Sequence, residues 1–176
     1  MRLPRSRWRR GRGPPATTST DPLRGELVGL SLATGAGASW YLPFGHVAPE
    51  GLLAAGGAPA NLPPLGSAAL DGVRALLADP TVPKAGHNIK RDWLVLRRAG
   101  APLAGLAYDS MLAAFVLDPG RRSFALDELA RDRLGIRLRT RDDLTGRGRE
   151  QRAIAQVPLA EGARAACDDV DRSAAG

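Results

Sequence analysis

Lys84-Ala85-Gly86-His87-Asn88-Ile89-Lys90-Arg91-Asp92 decides how the chain is read. Val82 to Gly86 reads as a short strand that runs directly into a helix. Asn88 stands where an N-cap is wanted, and Ile89, Trp93 and Leu96 recur on one face until Gly100 stops the helix. Asp92 falls in the middle of that helix, and its neighbours one turn away, Asn88 and Leu96, carry no charge. A solvated aspartate and a metal ligand are both compatible with such a position.

Outward from this stretch the chain alternates between strand and helix patterns. Leu27, Val28, Leu30 and Leu32 form an apolar run, and Trp40-Tyr41-Leu42 follows a turn at Thr34-Gly35-Ala36-Gly37, which predicts an antiparallel pair. Residues 49–66 are rich in Gly, Ala and Pro and read as a loop. Ser67 is placed to cap an amphipathic helix carrying Leu70, Val73, Leu76 and Leu77. Asp109 is placed to cap a helix with Met111, Leu112, Phe115 and Val116, and Ser123 another with Leu126, Leu129 and Leu134, closed by Gly135. Residues 137–151 are polar and irregular, and a last helix starts after Pro158. This order predicts an α/β fold, a mixed sheet flanked by helices.

At 176 residues the chain suits one domain, and no apolar run approaches membrane-spanning length. The single cysteine, Cys167, excludes an internal disulfide and suits a cytoplasmic protein. The net charge of +7 mostly reports six arginines between Arg2 and Arg12, ahead of the first acid, Asp21. All but Lys84 and Lys90 of the 25 basic residues are Arg, a bias that GC-rich codons produce. A milder basic excess from Arg121 to Arg152 could track a phosphate backbone or be a solvated face. Residues 1–16 read as a disordered Arg/Pro/Gly-rich tail. The only histidines, His46 and His87, have no zinc-type or triad-type partners, and no Walker loop is present. Asp168, Asp169 and Asp171 cluster in the last helix, as a solvated helix end or as oxygen ligands for a hard cation.

Five segments in order resemble the 3′–5′ proofreading exonuclease domain of bacterial family A DNA polymerases. They are Lys84–Asp92, Ala107–Leu117, Phe124–Ala130, the basic loop Thr145-Gly-Arg-Gly-Arg149, and Ala165-Ala-Cys-Asp-Asp-Val-Asp171. The resemblance implies a ribonuclease H-like exonuclease fold over residues 17–176, incomplete at both ends. It implies hydrolysis at a DNA 3′ end by two Mg²⁺ or Mn²⁺ ions roughly 3.5–4 Å apart. Carried over by position, Asp92 and Asp169 are the catalytic metal ligands, with Asp168 and Asp171 as supporting acids. Asn88, Lys90, Arg147 and Arg149 would contact nucleic acid. The implied partner is a single-stranded 3′ end, and such domains are normally fused to a polymerase domain that is absent here.

The departures are as specific as the matches. Where the family has Asp-Thr-Glu on its first strand, the register set by Thr17 to Pro22 places Pro14, Pro15 and Ala16. Ala165 replaces the tyrosine that orients the attacking water in the family. The expectation is therefore an impaired enzyme, arising from a frame error or truncation or from true loss of the metals. A catalytically inactive DNA-binding module and an RNA 3′–5′ exonuclease on the same fold are the alternatives. The basic loop at 146–149 fits the polymerase family better than the RNA enzymes.

Overall fold

Strand β2 (Leu27–Gly35) and strand β3 (Ala38–Pro43) pair antiparallel, with Leu30 opposite Leu42 and Leu32 opposite Trp40. They lie where the two apolar runs and the intervening turn place them. The computed structural model describes residues 15–35, 38–48 and 59–175, the last helix as backbone alone from 168 onward. Strand β1 (Ala16–Thr17) joins the other side of β2, Ala16 opposite Gly29 and Thr17 opposite Leu27. Strands β4 (Lys84–Gly86) and β5 (Leu106–Asp109) run parallel in a separate two-stranded sheet.

The α/β class is as expected, but among the described residues the sheet is divided into an antiparallel and a parallel part. The physical reason lies at β1. It is two residues long, and Pro15 immediately before it has no N–H to donate. A strand so short offers few backbone groups for a ladder, and the described ones are paired with β2.

Helices α1 (Asp71–Ala78), α2 (Ile89–Arg98), α3 (Ser110–Leu117), α4 (Leu126–Leu134), α5 (Arg141–Thr145) and α6 (Leu159–Ala175) complete the fold. Leu30, Leu65, Leu77, Ile89, Leu96, Ala101 and Leu103 form the main core between β2, α1 and α2. A smaller core joins Val28 to Ile154, Ala155 and Val157, and α6 lies against β2 and β3. None of the described helices is long and apolar enough to cross a membrane.

Three local expectations change. Ser67 precedes a short 3-10 turn (Ala68–Leu70) ahead of α1, and its hydroxyl makes no capping bond. Ser123 lies ahead of α4, whose N-cap is Ala125; the Ser123 hydroxyl accepts from the Ala125 N–H instead. The segment read as irregular from 137 to 151 contains α5, started by a capping box in which Thr140 Oγ1 and the Asp143 carboxylate each accept the other's backbone N–H. Of the expected loop at 49–66, residues 49–58 lie outside the described ones, and 59–66 form neither helix nor strand.

Gly105 fixes the start of the parallel pair. Its carbonyl accepts from the Lys84 N–H at 2.8 Å. Its φ is +71°, and a Cβ there would lie 2.5 Å from the Val82 carbonyl oxygen. Gly105→Ala should destabilise the protein by about 3 kcal/mol, since backbone strain and a clash with backbone add. A urea melt would show it as a lower midpoint with an unchanged slope.

Candidate nucleic-acid and metal site

The turn from β4 into α2 is held by one carboxylate from elsewhere in the chain. Asn88 adopts left-handed backbone angles, φ 52° and ψ 48°, and its side chain makes no capping bond. Asn tolerates that conformation better than most residues. The expected N-cap role belongs instead to Asp109. Its Oδ1 accepts from the backbone N–H of Asn88 at 3.1 Å and of Met111 at 2.9 Å, and its Oδ2 from that of Ile89 at 2.8 Å. A further bond comes from the Leu112 N–H. Asp109 thus caps α3, as the sequence predicts, and satisfies the first amides of α2 as well.

That anchorage sets the rotation of α2, which turns Ile89, Asp92, Val95 and Leu96 inward. Asp92 is 1% exposed. The reading of a solvated helix aspartate is therefore excluded, and a carboxylate this deep is held by interactions within the protein and not by water. Arg91, its neighbour, reaches across to the first strand. Its Nη2 donates to Thr17 Oγ1 at 2.9 Å and to the Ser19 carbonyl at 3.3 Å. Arg141 Nη1 donates to the Thr17 carbonyl at 3.2 Å. Thr17 itself is fully buried, so two guanidiniums fasten the shortened strand to α2 and α5.

Between these elements lies a cavity of about 340 Å³ lined by Ala16, Arg91, Arg139, Arg141, Tyr41 and Ala165, among others. Asp92 is not part of its lining. Tyr41 and His46 form its polar wall. His46 Nδ1–H donates to the Val157 carbonyl at 3.2 Å, which leaves Nε2 to accept from the Tyr41 hydroxyl at 2.8 Å. Burial, with Cys167 adding to it, pushes the Tyr41 phenol up to about 12. Gly29 leaves the room this ring needs, because a Cβ there would lie 1.9 Å from the Tyr41 hydroxyl.

Both histidines are held below the ordinary imidazole value of 6.5. Burial is the main cause for His46, against the Val157 carbonyl, and for His87, against Asp109. A depressed folded-state value means that the unfolded chain takes up protons first as pH falls. Stability should therefore be full above about pH 6.5 and decline below it. The urea midpoint at pH 7.5, 6.0 and 5.0 should fall in that order, and less steeply in His87→Asn.

The other expected residues lie on three further parts of the chain. Lys90 is exposed on α2, and Arg149 is exposed beyond α5. Arg147 is exposed too and pairs with Asp142 at 3.0 Å, a surface contact of small energetic weight. Asp168, Asp169 and Asp171 fall on the backbone of α6, but their side chains lie outside the described residues.

The fit to a pair of divalent ions can be tested on the donor chemistry. Among the described residues no three His, Cys, Asp or Glu side chains come together. Pro15 and Ala16, at the first strand, offer no side-chain oxygen. The described residues do not fit a two-ion centre. The sequence reading also missed what is there instead: Arg91, Arg139 and Arg141 converge on one cavity. Only the basic excess from 121 to 152 hinted at the last two.

The profile of the 3′–5′ exonuclease family matches residues 17–172. The chain is 33% identical over 157 residues to DNA polymerase I of Pseudomonas aeruginosa, covering 88% of this chain and 16% of the relative. It is 35% identical over 154 residues to DNA polymerase I of Chloroflexus aurantiacus, covering 86% and 15%. The chain thus spans only about a sixth of the relatives' length. Among solved structures it resembles the POL domain of Pol1 from M. smegmatis in complex with DNA primer-template and dNTP, with TM-score 0.57, 24% identity and coverage of 93% and 23%. It also resembles Brucella melitensis NrnC, with TM-score 0.62, 16% identity and coverage of 92% and 67%. Those structural likenesses speak for the exonuclease-type fold, and the sequence matches for the lineage: the chain belongs to the 3′–5′ exonuclease domain family of family A DNA polymerases.

Proposed function

We propose that this domain engages the 3′ end of single-stranded DNA and hydrolyses it far more slowly than a relative with an intact first motif. The observation that carries the reading is that Asp92 is buried in α2 while the described first strand, Ala16–Thr17, carries no carboxylate. In this proposal Asp92 and Asp169 are the catalytic and metal-ligating residues that remain, with Asp168 and Asp171 supporting them. Mg²⁺ or Mn²⁺ supplies charge stabilisation in the family when bound. Half of the donor set is missing here.

The chain's own residues would chiefly bind and orient. The Asn88 side chain, spared from capping, can hydrogen-bond the strand. Lys90, Arg147 and Arg149, all exposed, can meet phosphates at a salt-dependent cost. Since the relatives are polymerases of which this region is a small part, the domain is read as one that works beside a polymerase domain in the cytoplasm.

The test is degradation of a 3′-labelled single strand across a Mg²⁺ and Mn²⁺ titration, beside an intact relative. Slow loss of label that vanishes in Asp92→Ala is the expected result. Digestion at the relative's rate would refute the impairment. The arginine-lined cavity favours a second reading, a module that binds without hydrolysis; it predicts strand binding that is unchanged by Asp92→Ala and no digestion at all.

A further inference from the structure

We propose that the cavity bounded by β1, the start of α5 and α6 is an anion site that holds a phosphate dianion through Arg91, Arg139 and Arg141, without a metal ion. Three arginines line one cavity of about 340 Å³, and no described carboxylate is part of that lining. Among the described residues Arg91 and Arg141 donate to neutral oxygens there, those of Thr17, Ser19 and Thr20. Arg139 has no hydrogen-bond or ion-pair partner among the described residues. Among the described residues this positive charge meets no carboxylate in the cavity wall, and Arg139 and Arg141 are exposed and open to an incoming anion.

The electrostatics agree with the geometry. Burial, and then the Arg91 guanidinium, press the Arg141 value down, with Asp142 opposing. An anion between the two guanidiniums would relieve that repulsion. Leu144, Ile154 and Val157 make part of the wall, and that apolar surround strengthens a charge-assisted hydrogen bond chiefly at Arg91, the half-buried one of the three; Arg139 and Arg141 are exposed. Guanidinium forks match phosphate oxygens in pairs. The volume exceeds that of phosphate alone and leaves room for the body of a small phosphomonoester. The phosphate could be free in solution or be the terminal group of a nucleic-acid strand.

Calorimetric titration in excess EDTA separates this from the hydrolytic reading, because it needs neither a cation nor turnover. The probes are inorganic phosphate, a 5′-phosphorylated dithymidine dinucleotide and the same dinucleotide without the phosphate. Phosphate should bind, and roughly tenfold more weakly to Arg139→Gln, as loss of a charged hydrogen-bond donor implies. Arg141→Gln should weaken binding as well. It also cuts the tie to Thr17, so Arg139→Gln, which breaks no hydrogen bond or ion pair among the described residues, is the deciding variant. A phosphorylated dinucleotide that binds more tightly than inorganic phosphate marks a strand terminus as the source, and equal affinities mark free phosphate. Absence of phosphate binding in EDTA, or unchanged affinity in Arg139→Gln, would overturn the site.

Discussion

Asp109→Ala should cost the protein about 3 kcal/mol, lowering its melting temperature by roughly 10 °C. The size follows from the number of amides that one carboxylate satisfies. Asp109 accepts the N–H groups of Asn88, Ile89, Met111 and Leu112. An ordinary N-cap serves one helix; this one serves the starts of both α2 and α3. Alanine would leave four amides at two helix ends in a half-buried junction and remove a negative charge from two helix N-termini. Asp109→Asn keeps the oxygen that accepts the Met111 N–H but loses the charge and the second acceptor, so it should lie between wild type and alanine. Thermal unfolding followed by circular dichroism would rank the three. A melt of Asp109→Ala within a degree or two of wild type would show that water replaces the carboxylate without loss. Because the same junction sets the rotation of α2, the alanine variant should also loosen the burial of Asp92.

What the sequence disclosed was mostly local chemistry. The antiparallel pair was legible because Leu27 to Leu32 and Trp40 to Leu42 flank a glycine-rich turn, and α3 because Asp109 precedes an apolar run. Asn88 misled because its residue type suits both an N-cap and a left-handed turn, and only the arrival of Asp109 from another segment decides between them. The burial of Asp92 depends on the same tertiary contact, so helical spacing could not reveal it. α5 was hidden by its polar composition, although Thr140 and Asp143 carried the spacing of a capping box. The missing first-motif carboxylates were plain in the letters Pro14-Pro15-Ala16. That β1 is only two residues long, and that parallel and antiparallel strands lie in separate sheets, needed the strand register. The arginine cavity was the least legible feature, because Arg91 and Arg141 meet through Thr17 and its neighbours, far away in the sequence, and Arg139 joins them only in the lining of the folded cavity.

Restoring the first motif with Pro14→Asp, Pro15→Thr and Ala16→Glu together should raise the rate of 3′ degradation by roughly 10²-fold or more, the scale on which one electrostatic group at a reacting centre is worth. Each change answers a separate defect. Threonine at 15 returns a backbone N–H to the strand, so that β1 can extend along β2. Glutamate at 16 brings a carboxylate into the cavity that Ala16 lines, and aspartate at 14 adds the second member of the pair. The single variant Ala16→Glu should fail, for a reason the cavity supplies. Its carboxylate would meet Arg91 and Arg141 before it met a cation, and an ion pair with a guanidinium occupies the oxygens that a metal needs. That single variant should instead weaken phosphate binding in EDTA, since it neutralises the charge that attracts the anion. The two measurements pull apart the possible causes of low activity. If the triple variant stays as slow as wild type in saturating Mn²⁺ while still binding DNA, missing ligands are not the limiting defect; the arginines that fill the first-strand site would then be the next positions to change.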